Sequence, residues 1–261
     1  MSEISKVSPA IMEVVERSLE QIETSLDARV VLAVDAGAYG EGTPSADSPY
    51  CIQFVYVHRL DWYLQLTPGA DRITLPVSDD FTLTGWDIGL LLRTMKNGDA
   101  EKTGWLRSAV VYRADADVLA RLRSFSERSW RRSQEFARQL ERAKALSGTW
   151  RFGSDTTTHD FVKAMQAILA TRWIAEDRGA VPCDFDELRS GLDDDLNEEL
   201  GRLLQANAEA SAETIAPQSP RSQVFFGSEL RRLMDVEIGE SAQADPPPFD
   251  RLYAELVRRF G

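Results

Sequence analysis

The stretch Gly37–Val57, GAYGEGTPSADSPYCIQFVYV, decides how the rest of the chain is read. Its first part, Gly37–Gly42, is glycine-rich, and its end, Ile52–Val57, is an apolar run that reads as a strand. Just upstream, Val30–Val34 is short and β-branched, suited to a second, buried strand. A glycine-rich turn leaving a strand gathers backbone N–H groups, and such a turn favours anions without needing any side chain. The segment is therefore placed where a phosphate loop would be.

Working outward, Gly37, Gly42, Ser45, Asp47, Ser48, Tyr50, Phe54, Tyr56 and Val57 fall without a gap on the pattern G-S-R-A-W-G, S-x-D-S-D-Y-D, V-R-F-I-Y-V. Leu60–Leu66 (LDWYLQL), Leu75-Pro76, Gly85-Trp86-Asp87, Trp105-Leu106, Val110-Val111-Tyr112-Arg113 and Leu169–Ile174 (LATRWI) continue it in order. Over roughly residues 28–190 the chain thus resembles a bacterial and phage family of predicted nucleotidyltransferases. That family lies in the DNA polymerase β superfamily and is loosely linked to RNA repair.

The resemblance implies what an active member needs. A Gly-Ser turn at a helix start cradles the triphosphate. Two aspartates, one residue apart on a strand, then hold two Mg²⁺ ions for in-line transfer. Here the serine position is Ala38 and the two aspartate positions are Pro49 and Cys51. A glutamate expected before Leu75-Pro76 is Thr74, a basic loop residue is Tyr39, a helical lysine is Leu90, and a glutamate before Trp105 is Gly104. Polar positions are lost and scaffold positions are kept, so the chain reads as a degenerate member.

The expected function is a nucleotidyltransferase-fold protein without catalysis, serving as a nucleotide-sensing, regulatory or protein-interaction module. Gly37, Ala38, Gly42, Ser45 and Ser48 are the nucleotide-binding candidates, through backbone N–H groups. No resident metal or cofactor is expected, because proline offers no oxygen and a thiol is a soft ligand poorly matched to Mg²⁺. Two alternatives stay open. One is an active transferase in which Asp35, Glu41 or Asp47 replaces the lost ligands, using Mg²⁺ and a nucleoside triphosphate to modify RNA or protein. The other is an antitoxin-like binding partner. Expected partners are a nucleotide, a protein or an active paralogue, with RNA a weaker candidate; the oligomeric state is not legible.

Composition sets outer limits. The 261 residues are enough for one good core and a smaller helical part, with 43% hydrophobic and 28% charged residues as in ordinary globular proteins. A formal net charge of −12 argues against a general nucleic-acid binder. The run Arg121–Lys144, with Trp130 and Phe136 interleaved, offers Arg128, Arg131, Arg132 and Arg138 as a candidate RNA face. Glu127, Glu135 and Glu141 interrupt it at ion-pairing distance, which favours a solvated, salt-bridged helix. No apolar run reaches membrane-spanning length, no signal-peptide layout is seen, and two distant cysteines, Cys51 and Cys183, suit a reducing cytoplasm. Cys51 is read as a small hydrophobe in a strand, His58 as solvent-facing or capping a turn, and His159 as part of a helix start.

The fold class expected is α+β: a small nucleotidyltransferase-like mixed sheet with flanking helices, then a mainly α-helical C-terminal half. Ser8-Pro9 opens an amphipathic helix carrying Ile11, Val15, Leu19, Ile22 and Leu26. Ile73–Val77 reads as a third strand with a turn at Asp79-Asp80, and Thr84-Gly85-Trp86-Asp87 as a capping box. Ala109–Tyr112 reads as a further strand. Helices follow from Asp115, including Phe161–Ala175 ended by Gly179, and one or two acidic helices over Asp184–Leu204 with a dipole-matched start at Asp193-Asp194-Asp195. The division expected is an α/β domain over 1–113, a helical domain over 114–205, a flexible linker over 206–223, and a C-terminal helical segment over 224–261. Its last helix starts at Asp245-Pro246-Pro247-Pro248 and carries Phe249, Leu252, Leu256 and Phe260.

Overall fold

The computed structural model describes residues 7–67, 69–78, 80–147, 156–211, 213–216, 219–239 and 246–261. Asp79 and Asp245, which the sequence reading placed at a turn and a helix start, lie outside the described residues. In chain order the elements are α1 (Pro9–Leu26), β1 (Ala28–Asp35), β2 (Tyr50–His58), α2 (Leu60–Tyr63), β3 (Arg72–Ser78), β4 (Phe81–Asp87), α3 (Ile88–Lys96), α4 (Ala100–Thr103), β5 (Val111–Ala114), α5 (Ala116–Ser129), α6 (Arg132–Ser147), α7 (Thr158–Ala175), α8 (Phe185–Leu188), α9 (Asp194–Glu209), α10 (Pro220–Met234) and α11 (Phe249–Phe260). The protein is α+β, with a mixed sheet, flanking helices and a helical C-terminal half.

The chain divides into two compact units. A sheet unit takes the described parts of Lys6–Gly40, Pro49–Trp130 and Gln243–Gly261. A helical unit takes Glu41–Ser48 and the described parts of Arg131–Ala242. In the sheet unit, the described strands run in the order β3-β4-β2-β1-β5. β1 pairs antiparallel with β2 and β5, β2 pairs parallel with β4, and β4 pairs antiparallel with β3.

Both faces of the sheet are covered. On one face α1 buries Val15, Leu19 and Ile22 against Val30, Phe54, Tyr56 and Leu83. This helix forms where the sequence signals it: Ser8 accepts the Ile11 N–H, Pro9 fills the first turn, and Asp27 closes the end in the left-handed region at φ 47°. On the other face Val55, Val57 and Trp86 pack with α3, α5 and α11, the last through Phe249, Leu252 and Leu256. The helical unit is centred on α7, in which thirteen of eighteen residues are buried.

Five readings need correction. Thr84-Gly85-Trp86-Asp87 is not a capping box but the end of β4, an unforeseen central strand; Asp87 alone caps α3, accepting from Gly89 N at 2.7 Å. Pairing on both edges with β2 and β3 satisfies the backbone of β4 better than a local cap would. The last strand is Val111–Ala114 rather than Ala109–Tyr112, because the Ser108 hydroxyl bonds Val110 and ties that residue into a turn. Gly179 lies beyond the end of α7: the chain reverses first at Asp177, φ 58°, and the Asp177 carboxylate pairs with Arg132 at 3.1 Å. The interval 206–223 is helical at both ends, in α9 and α10, and Thr157 bridges Ile215 between them. His58 neither faces solvent nor caps a turn; it ends β2, is only 5% exposed, and stacks on Trp62 with ring centroids 4.1 Å apart.

Candidate active site

The segment between β1 and β2 is a strand-to-strand loop; Ala38–Gly42 form turns and no helix intervenes. The helix dipole that would help hold a triphosphate is therefore missing from this loop. Its sheet-unit part, Ala36–Gly40, is instead organised by the last residue of β1. Asp35 is fully buried, and its Oδ1 accepts from Gly37 N at 2.8 Å and Gly40 N at 3.1 Å. Its Oδ2 accepts from the Tyr112 hydroxyl at 3.2 Å. The side chain of Asp35 thus supplies the anion that these glycine amides would otherwise offer to a phosphate.

Close approach requires a glycine at 40 and crowds the one at 37. A Cβ on Gly40 would stand 2.1 Å from the Asp35 carbonyl oxygen, and one on Gly37 would stand 3.1 Å from the Cys51 Cβ. Tyr39, between them, lies parallel to Tyr50 with centroids 4.4 Å apart and planes 8° apart, and Tyr50 tilts against Phe81 at 6.3 Å. Burial, reinforced by the Asp35 charge, pushes the Tyr112 hydroxyl well above the ordinary phenol range; burial and the hydrogen bond with Tyr50 do the same for Tyr39. Both stay neutral at physiological pH.

Ala38 is half-buried in the turn, Pro49 is exposed just before β2, and Cys51 is half-buried on β2 against Gly37. Thr74 sits exposed on the edge strand β3, opposite Thr84. Pro49 and Cys51 bring no hard oxygen side chain to the position where two carboxylates would hold Mg²⁺, so this donor set does not fit the ion. Among the described residues no three His, Cys, Asp or Glu side chains are grouped to hold a metal.

The other candidates divide between the units. Gly37 and Ala38 belong to the sheet unit; Gly42, Ser45 and Ser48 belong to the helical unit. Gly42 takes φ 72°, and the Ser45 amide donates to the Ser48 hydroxyl at 2.8 Å. In the same unit Asn207 Nδ2 donates to the carbonyls of Thr43 and Pro44, and the Glu41 carboxylate meets Lys163 Nζ at 2.7 Å. Of the three acids considered as substitute ligands, Asp35 is spent on the loop, Glu41 is ion-paired, and Asp47 is exposed in the helical unit. Of the arginines, Arg128 is exposed in the sheet unit, whereas Arg131, Arg132 and Arg138 lie in the helical unit. Arg132 donates to the Ile174 and Ala175 carbonyls, and Arg138 to Glu135. Those two serve the fold.

A family model described as the RNA repair pathway DNA polymerase beta family, RlaP, matches residues 11–256. The chain belongs to that family. One relative is the Bacillus subtilis (strain 168) protein YcgL, 25% identical over 220 residues, which span 84% of this chain and 85% of YcgL. A crystal structure of a nucleotidyltransferase-like protein from Exiguobacterium sibiricum 255-15 is also similar. It has 12% identity and a TM-score of 0.32, with 86% of this chain and 74% of that one covered.

The sequence marks Asp35 only as a substitute metal ligand and Tyr39, Tyr50 and Tyr112 only as positions of the family pattern; the contacts that join them are new in the structure. The signal was present: an Asp two residues before a glycine is the side-chain-to-backbone turn pattern, here D-A-G. Nothing local marks Tyr112, which lies 77 positions away.

Proposed function

We propose that this RlaP-family protein has lost nucleotidyl transfer and works as a ligand-sensing or regulatory module beside the enzymes of its pathway. One observation carries the reading: the two positions that match the metal-binding aspartates are Pro49, just before β2, and Cys51, on it, and neither supplies an oxygen donor able to hold Mg²⁺. The Asp35 carboxylate, turned into the loop, adds support, since it takes up two of the loop amides that would face a triphosphate. Membership in a family described by an RNA repair pathway makes an active transferase or another repair component the natural partner.

Incubation with α-labelled ATP, GTP, CTP and UTP, with Mg²⁺ or Mn²⁺ and total RNA or lysate, tests this. No transfer above a heat-inactivated control is expected. Label on RNA or protein that disappears in Asp47→Ala or Glu41→Ala would establish the active alternative instead.

A further inference from the structure

We propose that the Tyr39–Tyr50 stack beside the Asp35-bound loop is a binding platform for a planar, uncharged ring, a free nucleoside or nucleobase, and selects against nucleotides carrying phosphate. This rests on the sensing role argued above and names its ligand class. Three observations in the sheet unit lead to it.

The first is the occupied anion seat. Gly37 N and Gly40 N already bind the fully buried Asp35 carboxylate, so a phosphate brought to these amides meets a fixed like charge out of water. The second is the absence of compensating charge in the sequence of the loop and its flanking strands: no Lys or Arg occurs between Arg29 and Arg59. The third is the aromatic row itself. Tyr39, Tyr50 and Phe81 are set in succession, the first two parallel at 4.4 Å and both half-buried rather than sealed in the core. A parallel tyrosine pair at a loop is a surface on which another flat ring continues the stack, whichever base it carries. The same features that repel phosphate do not oppose a neutral ring.

Isothermal titration of the full chain with adenosine, AMP and Mg²⁺-ATP, each at low and high salt, tests the assignment. Adenosine is expected to bind more tightly than AMP, and AMP more tightly than ATP, with the adenosine affinity unchanged by salt. Tyr39→Phe should retain adenosine binding, while Tyr39→Ala should weaken it roughly tenfold with unchanged circular dichroism. Asp35→Asn keeps an oxygen for the two glycine amides but removes the charge, and is expected to raise ATP affinity relative to adenosine. Absence of adenosine binding at millimolar concentration overturns the proposal and leaves the loss of transfer untouched, since that is read by label incorporation. ATP binding tighter than adenosine in the unaltered protein also overturns it. So does tighter, salt-sensitive binding of a tetraribonucleotide, which would assign the stack to an RNA strand.

Discussion

At the scale of single residues, two side chains hold the site and its surroundings. Asp35 makes the loop, and Gly40 makes room for it: the 2.1 Å separation between a Cβ there and the Asp35 carbonyl cannot be relieved by moving a flexible side chain. Gly40→Ala is therefore expected to destabilise the protein by about 1–3 kcal/mol or to open the loop, read as a lower urea midpoint and faster amide exchange at residues 36–40. His58 sets a pH dependence. Burial pulls its imidazole below the usual histidine value, partly opposed by the Asp87 charge and the Leu26 carbonyl. The folded protein thus prefers the neutral ring. Stability from this site is complete above the unfolded histidine value of about 6.5 and is lost as pH falls below it. His159, lowered by burial and Lys163, adds the same sign. Urea midpoints should fall between pH 7.5 and 5.5, and the two imidazole resonances should both titrate below an unfolded-peptide histidine. A resonance titrating above it would contradict the buried placement of His58.

At the scale of elements, the decisive one is β4. It joins the β3 edge to the rest of the sheet, and its Gly85 lies under the Phe54 ring, where a Cβ would come within 2.4 Å of Cζ. Gly85→Ala forces that ring, fully buried in the α1-side core, to move. A loss of about 1–3 kcal/mol is expected from chemical denaturation, larger than for a glycine-to-alanine change in an exposed strand. The elements that the sequence marked well are those with both periodicity and an end signal. α1 has Ser8-Pro9 and a four-three repeat, and α9 has the Asp193 cap, which accepts from Leu196 N at 2.9 Å. β4 was misread because Thr-Gly-Trp-Asp carries a genuine local cap signal, and only pairing with two distant strands overrides it. The 206–223 interval failed for a related reason. Its small polar composition suits a linker, yet Asn207 is fully buried, with its amide spent on two carbonyls near residue 43.

At the scale of the whole molecule, charge governs what can be recognised. A formal net charge of −12 gives long-range repulsion of polyanions, and several of the arginines read as a basic stripe are taken up by carboxylates and carbonyls within their own units. The protein is expected to show no retention on heparin and no RNA mobility shift at 0.15 M salt; retention that falls steeply with salt would reveal a basic face. No described helix is long and apolar enough to cross a membrane. The sequence by itself determined the family and the α+β class, because each depends on which residue occupies a given place along the chain. Tertiary structure alone decided that Asp35 meets Tyr112, that His58 is enclosed, and that α11 returns to share a core with β2 and α3. Those outcomes depend on contacts between segments far apart in sequence, where burial of apolar surface and satisfaction of buried polar groups choose the partner and no local pattern records the choice.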